Sequence, residues 1–274
     1  FDAEAFRALI EFQIAEGISG IVPVGTTGES PTVTHEEHME IIRVAIETAK
    51  GRCKVIAGTG SNSTAEAIAL TVEAEKMGAD AALLVAPYYN KPTPEGLYRH
   101  YRAIAESVKI PLMLYSIPGR CGIEIDVPTV VRLAKDCPNI HSIKEAGGTV
   151  ERVSQLRAAL PDSFEIISGD DSLTLPFLSA GAIGVISVAS NIIPREVAHL
   201  VAAWLKGKPE AAQMLHRKWY PFFKAIFVES NPVPTKAILA WQGKMMPDVR
   251  LPLVQMTETN VAGLRAVAAE YGLL

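Results

Sequence analysis

The stretch IHSIKEAGG, residues Ile140–Gly148, sets a lysine inside what its neighbours mark as a short buried strand. A buried ammonium is costly unless it is paired or gives up its proton, so Lys144 needs a reason. Working outward, the same strand recurs along the chain. Strands are expected at GIVPVGT, KVIAGTG, DAALLVAPYY, PLMLYSIP, IHSIKEA, FEIISGD and GVISVAS, each followed by an amphipathic segment. Several of those segments carry helix-start signals. Thr34 with Glu37 and Ser63 with Glu66 read as capping boxes, and TPEGLYRHY, DVPTVVRLA and PREVAHLV place a proline in the first turn.

Strand starts fall roughly 20–33 residues apart, the spacing of strand-helix units in a (β/α)8 barrel or a doubly wound sheet. Seven strands are counted, and the chain opens on the helical pattern FDAEAFRALIEF with no strand before it, so a closed barrel lacks its first strand here. A doubly wound sheet would make seven natural, but GTGSNS lacks the third glycine of the dinucleotide fingerprint. The expected organisation is a barrel over residues 1–206 and a helical extension over 207–274, where only helical patterns remain.

The 274 residues are 49% hydrophobic, enough for one sizeable core. A net charge of −4 with scattered Lys and Arg gives no footprint for nucleic acid or an anionic membrane. The three cysteines, Cys53, Cys121 and Cys137, suggest neither a disulfide framework nor a zinc cluster and read as buried filler in a reducing compartment. No apolar run reaches the roughly 18 residues of a membrane span, and a cytosolic location is expected.

Ligands of parallel strand-helix folds sit at the carboxyl ends of strands, and reactive residues gather there: Thr26, Thr27 and Glu29, then Tyr88 and Tyr89, Tyr115 and Arg120, Lys144, Asp170 and Asp171, and Ser187. Glu145 points to the opposite face from Lys144 and cannot easily neutralise it. Burial then moves the amine towards neutrality, and a neutral amine can form a Schiff base with a carbonyl. The alternative is a purely structural lysine. Tyr115 is either a core aromatic or the proton shuttle that carbinolamine chemistry needs. Thr26 could link such a phenol to another or merely satisfy a turn, and Arg120 is a surface residue unless it binds a substrate carboxylate. HEEHMEII has histidines three apart rather than four, which does not make a zinc helix, and the acids of SGDD read as caps for the next helix.

Taken in order, GTTGE, YYNKP, YSIPGR, IKEA, SGDD and NPVPTK closely resemble the dihydrodipicolinate synthase family of pyruvate-dependent class I aldolases, a group that also includes N-acetylneuraminate lyase. The resemblance spans nearly the whole chain. It implies a (β/α)8 barrel with a C-terminal helical region, assembled as a tetramer of two tight dimers. It also implies an initial strand before the first helix, absent here. Lys144 would form the Schiff base with pyruvate and Tyr115 would relay protons. Thr26 and Tyr89 would complete the relay, Tyr89 from the neighbouring subunit. Thr27, Gly169 and Ile186 would hold pyruvate, and Arg120 the carboxylate of aspartate semialdehyde. No metal or organic cofactor is implied. In lysine-inhibited members, the positions of Ser30, His35, His38, Asn62, Glu66 and Tyr88 form an allosteric pocket, so inhibition by lysine is expected. The rival readings are a sugar-acid lyase using the same Lys144, disfavoured by Gly119 and Arg120 after YSIP, and a silent keto-acid sensor, disfavoured by the intact relay.

Overall fold

The computed structural model describes all residues, Phe1–Leu274. In chain order the elements are α1 (Ala3–Ala15), β1 (Gly20–Ile21), α2 (His35–Ala49), β2 (Lys54–Gly58), α3 (Thr64–Met77), β3 (Ala81–Val85), α4 (Pro94–Ser107) and β4 (Leu112–Ser116). There follow α5 (Pro118–Cys121), α6 (Val127–Asp136), β5 (Ile140–Glu145), α7 (Val150–Ala159), β6 (Glu165–Ser168), α8 (Thr174–Ser179), β7 (Gly184–Val185) and α9 (Pro194–Leu205). Three helices end the chain: α10 (Pro209–Ala225), α11 (Val233–Trp241) and α12 (Glu258–Glu270). The expected seven strands are all present, and the first element is the helix α1. No helix is long and apolar enough to cross a membrane.

The chain divides into two compact units, one of Phe1–Ser19, Val24–Cys53 and Ser187–Leu274, the other of Gly20–Pro23 and Lys54–Ile186. The second unit contains the whole sheet. Its seven strands are parallel and lie in the order β1-β2-β3-β4-β5-β6-β7. This order decides between the two folds left open by strand spacing. A doubly wound sheet reverses direction partway, whereas strictly sequential right-handed crossovers leave every helix on one face, which is the curled arrangement of a (β/α) barrel.

Period-two alternation sorts the strand residues between two cores. Ala82, Leu84, Leu112, Leu114, Ile143 and Ile166 pack with residues of α4, α6, α7 and α8, among them Tyr101, Ile104, Leu133, Leu156 and Phe177. Their alternates Leu83, Met113 and Tyr115 form a separate cluster with Ile56, Ile167 and Ile186, to which no helix contributes. That cluster marks the inner face.

Local capping explains where the helices start. Thr34 and Glu37 make the reciprocal box at α2. At α3 only half of the expected box forms: Ser63 Oγ accepts from Glu66 N, but the Glu66 carboxylate takes the Ser61 hydroxyl instead. Ser63 N–H, the donor that Glu66 would have taken, donates to Ser61 Oγ at 3.0 Å instead, so one hydroxyl accepts from the backbone and gives the carboxylate a charge-assisted bond.

Candidate active site

The site is built on the register of β4, β5 and β6. Val85, Tyr115, Lys144 and Ile167 are successive partners across four strands. Lys144 therefore shares the inner face with Tyr115, and its Nζ lies 4.1 Å from the centre of the Tyr115 ring. Only 9% of Lys144 is exposed. Burial pushes its amine down to about 8; Asp171 pulls it back up and Arg120 pushes it further down. Glu145, the next residue, points the other way and pairs with Arg152, as strand geometry requires.

The other expected site residues of this unit follow in sequence order. Arg120 lies in the last turn of the short helix α5 and is exposed, with its charge felt at Lys144. Gly169 follows β6, and its N–H donates to Glu145 O at 2.8 Å. Ile186 follows β7 and donates to Ser168 O at 2.8 Å. The doublet read as two caps does two different things. Asp170 caps the turn beyond it through Ser172 N at 2.7 Å, while Asp171 is buried to 2% exposure and acts electrostatically on Lys144. The sequence signal for that second role was the acidic doublet at a strand end.

Gly169 is constrained by the lysine itself. A Cβ there would lie 2.7 Å from Ala146 Cβ and 3.0 Å from Lys144 Cε. The Ala146 wall is a stub on the backbone and cannot swing away. Gly169→Ala is expected to destabilise the fold by about 1–3 kcal/mol and, by displacing the amine, to slow imine formation about 10²-fold. Denaturant midpoints and the rate of borohydride trapping with pyruvate measure the two effects.

In the other unit, Thr26 and Thr27 occupy one 3-10 turn, Thr26–Gly28. Asn231 Nδ2 donates to Thr27 Oγ1 at 2.9 Å. Glu29 follows with φ +55. Its carboxylate accepts from Lys236 Nζ at 2.9 Å and from Arg250 N at 2.7 Å. The Arg250 guanidinium in turn grips both oxygens of Glu37 at 2.6 Å, which holds that carboxyl down to about 2. Asn231 opens and Lys236 closes the motif NPVPTK, which gives no sign of these partners, and Arg250 lies outside every motif quoted above. Val24, buried to 3% exposure, has φ +53, an unfavourable conformation for a β-branched residue at the entry to this turn.

The residues expected to bind an effector fall in both units. Asn62, Glu66 and Tyr88 come together: Asn62 Nδ2 donates to Tyr88 O at 3.1 Å, and Ser61, not anticipated, bonds Glu66 and lies beside the Tyr88 hydroxyl. Burial, and then the Glu66 charge, push the Tyr88 phenol up. Ser30 opens a second 3-10 turn, His35 is exposed at the start of α2, and His38 is buried. Tyr89 stands apart from these, 90% exposed with φ +74, a conformation that costs an aromatic residue on the order of 1–3 kcal/mol. All three cysteines are buried and none forms a disulfide.

The sequence matches the Dihydrodipicolinate synthetase family over residues 1–270. It is 52% identical over 273 residues to the 4-hydroxy-tetrahydrodipicolinate synthase of Syntrophus aciditrophicus (strain SB), covering 100% of this chain and 94% of that protein. Among solved structures, the 4-hydroxy-tetrahydrodipicolinate synthase of the methanotroph Methylacidiphilum fumariolicum SolV superposes with a TM-score of 0.98 at 54% identity, over 99% of this chain and 91% of that one. The DHDPS of Cyanidioschyzon merolae, solved with lysine bound, gives 0.96 at 43% identity, over 100% and 93%. Fold and relatives together define a lyase on a parallel α/β barrel. The chain belongs to the dihydrodipicolinate synthetase family.

Proposed function

We propose that the protein condenses pyruvate with L-aspartate 4-semialdehyde to give 4-hydroxy-tetrahydrodipicolinate, in the cytoplasm and as a homotetramer. The observation that carries this reading is the Lys144 amine, buried against the Tyr115 ring and pushed down to about 8. Near neutral pH about a tenth of such an amine is free base, against less than about a thousandth for an unperturbed lysine. It attacks the pyruvate carbonyl, and Tyr115, with Thr26 and Tyr89, passes the protons that let the carbinolamine lose water. Thr27, Gly169 and Ile186 hold pyruvate. Deprotonation of its methyl group gives an enamine, which attacks the aldehyde while Arg120 binds the carboxylate of that substrate. The amine of the joined chain then displaces Lys144 and closes the ring. No step requires a metal or organic cofactor.

Lysine is proposed as the inhibitor. The grouping of Asn62, Glu66 and Tyr88 suits a ligand with amines and a carboxylate, and a relative has been solved with lysine bound.

The test combines borohydride reduction in the presence of pyruvate, peptide mass mapping, and steady-state assays. Label on the peptide carrying Lys144, turnover with aspartate semialdehyde and inhibition by millimolar lysine are expected. Label elsewhere, or faster cleavage of N-acetylneuraminate or 2-keto-3-deoxygluconate than condensation, would overturn the reaction. Turnover untouched by lysine would overturn the regulation.

A further inference from the structure

One residue beyond the inner row of Tyr115, Lys144 and Ile167, the strands present a second row to the opposite face: Ser116, Glu145 and Ser168, partners in the same register. All three are polar, and all three are 0% exposed. Each grips a loop at its own strand end. Ser116 Oγ accepts from Ile125 N at 3.4 Å, and Ser168 Oγ holds the backbone of Asp170. Glu145 Oε1 accepts from Gly147 N at 2.6 Å, at a glycine whose Cβ would collide with that oxygen.

Arg152, in the first turn of α7 and only 6% exposed, ties this row together. Its Nε donates to Glu145 Oε2 at 3.3 Å, a second nitrogen donates to the carbonyl of Ile125, and Glu124 lies 3.4 Å from the third. The bonds close a cycle behind the inner face: Tyr115 and Ser116, Ile125, Arg152, then Glu145 and Lys144. Residues 122–126, which the guanidinium pins, directly follow the helix that carries Arg120. A buried charged pair is a costly way to fill space, and an apolar pair of similar volume would serve packing equally well. The forked geometry is what an apolar pair lacks: one planar cation addressing two loops at once.

We infer that Arg152 and Glu145 are positioning residues for the reaction, coupling the end of the Lys144 strand to the segment behind Arg120 and so setting affinity for the carboxylate-bearing aldehyde. The inference rests on the condensation proposed above.

Its test uses the charge-neutral double variant Glu145→Gln/Arg152→Met, which leaves no buried charge uncompensated, beside Arg152→Lys. Borohydride trapping of pyruvate at Lys144 is expected to stay within about threefold of the unsubstituted enzyme, while KM for aspartate semialdehyde rises about tenfold or more. Arg152→Lys, which keeps a charge but not the fork, is expected to fall between. In an Arg120→Met background, the double substitution is expected to change KM for the aldehyde by less than about twofold, because its effect passes through Arg120. A lowered melting temperature with aldehyde KM unchanged, a parallel rise in KM for both substrates, or full additivity with Arg120→Met would overturn the inference. Absence of label at Lys144 in the unsubstituted enzyme would instead overturn the reaction, and is read separately.

Discussion

Lys144→Met is expected to end imine formation and, at the same time, to make the protein more stable at neutral pH. Without the amine no covalent intermediate forms, and turnover falls by at least about 10³-fold. The gain in stability follows from the amine's titration, which moves from 10.5 to about 8 on folding. Below pH 8 folded and unfolded chains both carry the ammonium, and the folded chain bears the whole cost of its burial, on the order of 3 kcal/mol. Between about 8 and 10.5 the unfolded chain alone stays protonated, so the cost shrinks as pH rises and vanishes above that range. Methionine has similar length and no charge. The variant should therefore melt several degrees higher at pH 7, with the difference from the parent shrinking steadily as pH rises from about 8 towards 10.5. A variant that melts lower than the parent at pH 7 would show that the ammonium is well accommodated, and that the amine is not poised for attack.

Tyr115→Phe separates the ring from its hydroxyl. The aromatic face 4.1 Å from Lys144 Nζ is retained, and the pocket, where Tyr115 is 5% exposed, keeps its packing. What is lost is the group assigned to move protons during carbinolamine formation and dehydration. A fall in kcat of about 10²–10⁴-fold is expected, with the rate of pyruvate trapping falling alongside and the melting temperature nearly unchanged. Single-turnover measurements with each substrate check it. If kcat stayed within about threefold of the parent, Tyr115 would be a wall of the site and no more.

The inner row was legible in the sequence because alternation along a strand is a local property. Lys144 and Glu145 must diverge whatever surrounds them, and Tyr115 and Lys144 both fall late in adjacent strands. The choice between a curled and a doubly wound sheet was not legible from spacing, since both use the same strand-helix unit; strand order settles it. Pairings between distant segments were not legible either. Asn231 meets Thr27, and Arg250 meets Glu37, across separations of 204 and 213 residues. Periodicity tells which face of an element is apolar, but not which polar group on another element will meet it. Glu66 shows the same limit at short range. Its spacing from Ser63 is right for a cap, yet the Ser61 hydroxyl captures the carboxylate.

The division between inner and outer rows on β4 and β5 also bears on how such a protein can change over generations. Tyr115 and Lys144 face inward, where the proposed reaction takes place, while their immediate neighbours Ser116 and Glu145 face outward and bond to the strand-end loops and to Arg152. Substitutions at odd and even positions of the same five or six residues thus fall under separate selective demands. An inner-face change strikes the chemistry at once, whereas an outer-row change reaches it only by way of the strand-end loops, so it is the second set that leaves descendants room to adjust aldehyde affinity and thermal tolerance by small steps.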